Sequence, residues 1–168
     1  MDYYDSNILV GGYSSSSERR AYYYNNDQST YGWDGLKQGL LYNVNSLNYL
    51  AANESTIFPD GWRIPSNNDV SKLINAAGGS TNAGYNLSKG SLEWAPRWTG
   101  TNKFNFSLCP SGSRYGSDGN FHDLGDTGQF WSKGAYQNYR NATSNDLYVT
   151  GPQVNYSASV PIRLCKDA

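Results

Sequence analysis

The sequence predicts an α+β fold: two short helices packed on small antiparallel β-sheets, with long loops between them. Three observations lead there. Val70, Leu73, Ile74 and Ala77 recur at helical spacing behind a Ser66-x-x-Asp69 capping pattern. From Phe104 onward, apolar and polar residues alternate in short runs bounded by turn formers. Helical signals sit in the first half and strand signals in the second, with no repeat of fixed period.

Taken in order, residues 1–20 are polar and include Ser14-Ser15-Ser16-Ser17, which reads as a loop-rich N-terminal extension of a single domain spanning 1–168. Ala21-Tyr22-Tyr23-Tyr24 is β-prone and is stopped by the turn formers Asn25-Asn26-Asp27. Gly39-Leu40-Leu41-Tyr42-Asn43 is a second strand, and Leu47 and Leu50 within 45–52 suit a short helix. Asp60-Gly61 turns the chain into an extended Trp62-Arg63-Ile64-Pro65, with Trp62 expected to pack under the next helix. That helix, 67–77, begins at the Ser66 cap and ends at Gly78-Gly79. Residues 80–103 read as a polar loop. Phe104, Phe106 and Leu108 alternate as a strand, Pro110-Ser111-Gly112 turns, and Tyr115 to Asn120 forms a hairpin loop ahead of a strand at Phe121 to Leu124. Further strands are expected at Phe130-Trp131-Ser132, Leu147-Tyr148-Val149 and Val160 to Cys165, with Trp131 in the core.

Composition narrows the function. Among 168 residues, 15% are aromatic and only 16% charged, with net charge −1; the mean hydropathy is −0.69. The polarity therefore comes from Asn, Ser, Gly and Tyr rather than from charge. Disordered chains are usually charged and poor in aromatics, which argues against disorder. No run approaches the ~18 apolar residues a membrane span needs, so no membrane insertion is expected. Thirteen basic residues against 14 acidic ones, clustered nowhere beyond Arg19-Arg20, argue against nucleic acid as a partner. Met1 to Asp5 lacks the basic start and apolar core of a secretion signal.

Catalytic signals are sparse. Cys109 and Cys165 form no CxxC pair and are either one disulfide or two free thiols. His122, the single histidine, sits in an alternating run and reads as an outward-facing strand residue. No GxSxG, P-loop, GxGxxG or HExxH occurs. Asp118, Asn120, Asp123 and Asp126 are oxygen ligands at short spacing, but the D-x-[DN]-x-[DN]-G-x5-E calcium frame is missing. Neither a catalytic residue, nor a metal site, nor a cofactor is assigned.

Several motifs fall in a familiar order: Gly39 to Asn43, Pro59-Asp60-Gly61-Trp62-Arg63-Ile64-Pro65, the capped helix, Phe106-Ser107-Leu108, Gly112-Ser113-Arg114, Gly128-Gln129-Phe130-Trp131-Ser132 and Ile162-Arg163-Leu164-Cys165. Over residues 22–167 the set resembles the Fibrobacter succinogenes major paralogous domain, a bacterial family with a C-type-lectin-like fold. The family's Cys before Pro-x-Gly-Trp is Phe58 here, which removes a disulfide partner, and its Ser-Ser after the later Trp is Ser132-Lys133. The Glu-Pro-Asn and Trp-Asn-Asp signatures of calcium-dependent sugar-binding lectins are missing.

C-type-lectin-like folds also serve as the variable proteins of diversity-generating retroelements, in which a C-terminal segment is rewritten at adenine-containing codons. The stretch from Trp131 to Ser159 is similar to such a segment. It supplies the candidate ligand-binding residues Tyr136, Asn138, Tyr139, Asn141, Asn145, Asp146, Tyr148, Asn155 and Tyr156. Tyr offers a rigid amphipathic face, while Asn and Ser offer adaptable hydrogen bonds, the mixture that antibody paratopes use. The competing reading is that Asn and Ser fill solvated loops while Tyr caps the core edge; the similar run Tyr22 to Asn26 favours it. The resemblance implies a non-enzymatic module, on a bacterial surface or a phage particle, that recognises a protein or a glycan. The alternatives are an accessory module of a carbohydrate-active enzyme and a structural surface domain.

Overall fold

The computed structural model describes residues 6–11, 18–28, 39–90, 98–134, 136–152 and 158–167. In chain order these form β1 (Leu9–Val10), β2 (Arg20–Tyr22), a 3-10 turn (Tyr24–Asn26), β3 (Leu41–Tyr42), α1 (Val44–Ala52), α2 (Glu54–Ile57), β4 (Trp62–Arg63), α3 (Asn67–Ala76) and α4 (Ser80–Leu87). Then follow β5 (Ser111–Tyr115), β6 (Phe121–Leu124), β7 (Thr127–Ser132), β8 (Tyr136–Asn141), β9 (Tyr148–Pro152), β10 (Ala158–Ser159) and β11 (Cys165–Lys166). The class is α+β, with four short helices and small, mostly antiparallel sheets.

Among the described residues four sheets form, ordered β1-β2-β3, β10-β5-β6, β11-β4 and β7-β8-β9. The C-terminal thread 158–166 joins them all. β10 pairs with β5, Val160 bridges Tyr42 beside β2, Ile162 bridges Trp131 of β7, and β11 pairs with β4. The single strand expected at Val160 to Cys165 is thus broken into pieces, because each piece satisfies its backbone on a different sheet. β1, within the expected extension, pairs in parallel with β2, and Ile8 beside it is buried in the core.

Two apolar clusters lie on either side of β7. Trp131 belongs to one, with Leu47, Leu50, Phe58, Ile64 and Val160. Phe130 belongs to the other, with Val70, Ile74, Leu87, Trp98, Leu108 and Leu147. Alternating side chains along a strand produce this division, and it buries both faces of β7.

The local signals are met at both longer helices. Asn43 Oδ1 accepts from Ser46 N at 3.0 Å and caps α1, which buries Leu47 and Leu50. At α3 the capping box closes: Ser66 N donates to Asp69 Oδ2 at 2.8 Å, and Asp69 N donates to Ser66 Oγ at 3.3 Å. Arg63 adds a two-pronged pair to the same carboxylate at 2.6 and 3.2 Å and donates to Asp167 Oδ1 at 2.9 Å. The Arg63 guanidinium beside it holds the Asp69 carboxyl well below the usual carboxylate range, helped by the Ser66 hydrogen bonds.

Four local expectations change. Trp62 is 39% exposed rather than packed under α3; Ile64 and Pro65, two and three residues on, are the buried ones. Residues 104–108 are a turn and bend followed by irregular chain, with Leu108 in an isolated bridge to Ser88, not a strand, since Asn105 and Ser107 take φ of 53° and 55°. Ser111-Gly112 opens β5 instead of a turn. Residues 80–87 are helical although they carry no side-chain cap and contain Gly84. That glycine has a tertiary reason: a Cβ there would lie 2.3 Å from Asp146 O and 2.7 Å from Asn145 O. The two cysteines do not pair with each other, and burial pushes both thiols up.

Two stability outcomes follow. Gly84→Ala, which would raise helix propensity by ~1 kcal/mol on an exposed helix, is expected instead to lower the thermal midpoint; a raised midpoint would contradict the close approach. Asp69→Asn should cost about 1 kcal/mol in urea unfolding at pH 7. Because folding depresses the Asp69 pKa, its stabilisation is present above the ordinary carboxylate range. The gap to wild type should therefore narrow as pH is lowered below that range.

Candidate functional site

The β8–β9 hairpin and its connection, residues 142–147, carry most of the sequence-predicted binding residues. β8 lies between β7 and β9, with Tyr139 opposite both Gln129 and Tyr148, and Tyr136 opposite both Ser132 and Pro152. A register shift falls between Tyr136 and Asn138. Alternate residues of β8 enter the interior. Asn138 is fully buried, donating to Ser132 Oγ at 3.1 Å and Phe130 O at 3.3 Å. It therefore belongs to the scaffold and not to a surface patch, because the pleat places it on the buried face of β8.

Arg140, two residues on, is 1% exposed. Its guanidinium lies 4.5 Å from the Trp98 ring centroid. Nε donates to Ser144 O at 2.8 Å and Nη1 to Thr99 O at 2.6 Å. Burial pulls its pKa down, but an arginine still carries its charge at neutral pH. A planar, weakly hydrated cation stacked on indole and bonded to carbonyls is a stable way to bury that charge. Its effect is to hold the 142–147 connection against the segment at Thr99.

The same connection is tied to α4. Tyr85 N donates to Asn145 O at 3.1 Å, Leu147 N donates to Ser80 O at 2.9 Å, and Gly84 lets the Asp146 backbone approach. Ala142 N donates to Asp126 O at 2.7 Å, and Ala142 and Leu147 are buried at the two ends. Between these anchors Asn141, Thr143 and Asn145 are exposed and Asp146 is half-buried. Tyr148 and Val149 are each 42% exposed. Tyr148 Oη donates to Asp146 Oδ2 at 2.5 Å, which fixes the phenol while leaving ring area open.

Of the predicted site residues, Asn141, Asn145, Asp146 and Tyr148 are thus brought together on one backbone-anchored rim. Tyr136 and Tyr139 hold register positions in the same sheet, and Asn155 and Tyr156 lie outside the described residues. The sequence reading missed Thr143, Val149 and the anchors Arg140, Tyr85 and Gly84. A polar alternation of Asn138 and Arg140 resembles a solvated face, so no sequence signal marked Arg140 as interior.

The ordered motifs meet their structural roles here: Phe130-Trp131 splits the cores, Ile162 bridges Trp131, and Arg63 pairs with the Asp69 of the capped helix. The family model of the Fibrobacter succinogenes major domain matches residues 3–166. The chain belongs to that family. Neither a curated protein nor a solved structure matches it. Phe58, where the resemblance implied a cysteine, fills the first core cluster. Lys133 of this Fibrobacter succinogenes major domain pairs with Glu54 at 2.6 Å. Glu54 in turn accepts from Ile64 N at 2.7 Å.

Arg140→Met, of similar length but without donors, should free Ser144 O and Thr99 O. The amides of Tyr85 and Leu147 are expected to exchange faster with deuterium by about tenfold or more, matching the loss of a charged hydrogen bond worth ~1.5–3 kcal/mol. Unchanged exchange at both amides would remove Arg140 from the anchoring role.

Proposed function

We propose that this domain is a non-enzymatic ligand-binding module that recognises a protein or a glycan through the rim of the β8–β9 hairpin. The observation carrying this reading is the combination of a locked backbone with open side chains. The 142–147 connection is bonded to α4 and to Arg140, while Asn141, Thr143, Asn145, Tyr148 and Val149 face solvent. A surface whose backbone is already ordered loses little entropy on binding. Tyr with Asn and Thr combines contact area with versatile hydrogen bonding.

The C-type-lectin-like architecture implied by the family is part of this proposal, as is display on a bacterial surface or a phage particle. So is diversification of the 131–159 segment by a retroelement. Under that reading, substitutions are expected at exposed Asn141, Asn145 and Tyr148 and not at buried Asn138 and Arg140.

The capture test uses protein and glycan arrays. The triple variant Asn141→Ala, Asn145→Ala, Tyr148→Ala should lose at least tenfold in affinity for whatever the wild type captures, with its thermal midpoint nearly unmoved. Capture that survives the triple variant would move the site elsewhere, and arrays without any hit would favour a structural surface domain. Turnover of glycosidase substrates, lost on removing Asp118, Asp123 or Asp146, would favour the carbohydrate-active alternative. For diversification, a neighbouring reverse transcriptase gene and a near-identical template repeat are expected, with copies differing at exposed positions of 131–159. Differences spread evenly over buried and exposed positions would count against it.

A further inference from the structure

The rim of the β8–β9 hairpin does not end at α4. Tyr85, in the last turn of that helix, holds a segment on each side. Its N donates to Asn145 O and its O accepts from Thr101 N, both at 3.1 Å. Arg140 ties the same two segments together through Ser144 O and Thr99 O. Residues 99–103 therefore run beside the 142–147 connection, with Thr99, Thr101 and Lys103 exposed. The contacts also fix the direction. Leu147 N is bonded to Ser80 O at the start of α4, and Lys103 N to Asn86 O at 2.9 Å near its end.

The second segment is as firmly held as the first. Asn102 N donates to Ser88 O at 2.9 Å, and Gly100 lies so close that a Cβ would stand 2.3 Å from the same oxygen. The turn beyond is closed by the Asn102 side chain, which accepts from Ser107 N at 2.7 Å and donates to Ser107 Oγ at 3.0 Å. Arg163 clamps its far side through Phe106 O at 2.9 Å and Ser107 O at 2.7 Å. Asn102, Asn105 and Ser107 take φ of 47°, 53° and 55°, a conformation that side-chain-bearing residues seldom adopt unless their surroundings hold it. Near its tip Phe104 is 44% exposed, with Lys103 Nζ 5.6 Å from the ring centroid. Exposed Lys89 bridges Thr101. Lys89 and Lys103 are the charged residues among the described positions of 85–105, and neither reaches a carboxylate among the described residues.

We infer that the binding rim extends across α4 onto residues 99–104, and that this composite face takes a polypeptide with an apolar side chain on Phe104 and a carboxylate on Lys103 and Lys89. The inference rests on the rim reading above and names its partner class. Apolar contacts lie at opposite ends of α4, Tyr148 and Val149 at one and Phe104 at the other, with Thr and Asn side chains between. From Ser80 to Asn86 the helix rises about 9 Å, which an extended peptide covers in about three residues. Two lysines without acidic partners select a partner that supplies acids. They are too few to track a phosphate backbone, and a lipid surface would bury Thr99, Thr101 and Asn145 without giving them partners.

Panning a random dodecapeptide phage library on the full chain tests this. Enriched peptides are expected to combine Asp or Glu with Leu, Ile, Phe or Trp, and their synthetic versions to bind more weakly as salt is raised. Phe104→Ser, and separately the pair Lys89→Glu with Lys103→Glu, should each weaken that binding about tenfold or more, with thermal midpoints near wild type. Lys103→Arg should keep it. The triple variant at Asn141, Asn145 and Tyr148 should weaken it as well. Loss in the triple variant alone would keep the rim and overturn its extension. Loss in the Phe104 and lysine variants alone, or in none, would overturn the rim as well. A panning that enriches nothing, or enriches peptides without acidic residues, would overturn the extension, while the array test of the rim stands by itself.

Discussion

Trp131 is the joint on which the molecule depends. It is completely buried in the strand that separates the two cores. Its indole N–H donates to Tyr42 O at 2.7 Å, and its backbone N donates to Pro161 O at 2.9 Å. Tyr42 in turn exchanges backbone hydrogen bonds with Val160 at 2.9 and 3.2 Å. One residue, through its indole and its backbone N–H, thereby ties β3, β7 and the C-terminal thread. A buried indole needs a partner for its N–H, and the carbonyl it uses belongs to a strand 89 residues away. The two-residue strands flanking this joint are too short to persist alone, so their pairing relies on it.

Around this joint two arginines are buried on aromatic rings. Arg140 stacks on Trp98 and Arg114 on Tyr22, and both are nearly inaccessible. Each sits beneath a surface connection: Arg140 under the 142–147 segment and Arg114 under the 116–120 turn. A planar cation on an aromatic ring can bond several carbonyls without a carboxylate. The tyrosine-rich composition is thus partly structural, supplying the rings on which guanidinium groups rest.

This changes how the Asn and Tyr excess is read. Tyr22 and Tyr24 are core residues of a small third cluster, packed against Phe121 at ring distances of 6.4 and 5.1 Å. Asn25 and Asn26 adopt φ of 52° and 57°, a left-handed turn that asparagine tolerates. Asn138 is interior, while Asn141 and Asn145 three and seven residues later are open. Identical residue types therefore serve the core, a turn and the rim, and composition alone does not separate them.

What the sequence by itself determined was local: the capped helix at 67–76, the helix at 44–52, the loop at 115–120 with the strand at 121–124 after it, the burial of Trp131 and the family. Each rests on neighbours within a few residues, where capping, spacing and alternation act directly. Tertiary structure alone decided the rest. It made residues 80–87 a helix by seating Asp146 on Gly84, turned 104–108 away from strand, and broke the Val160-to-Cys165 run across three sheets. It also sorted the binding candidates into Asn138 within and Asn141, Asn145 and Tyr148 without. The physical reason is common to all four: hydrogen bonds and close approaches between residues far apart in sequence outweighed propensities on the order of 1 kcal/mol.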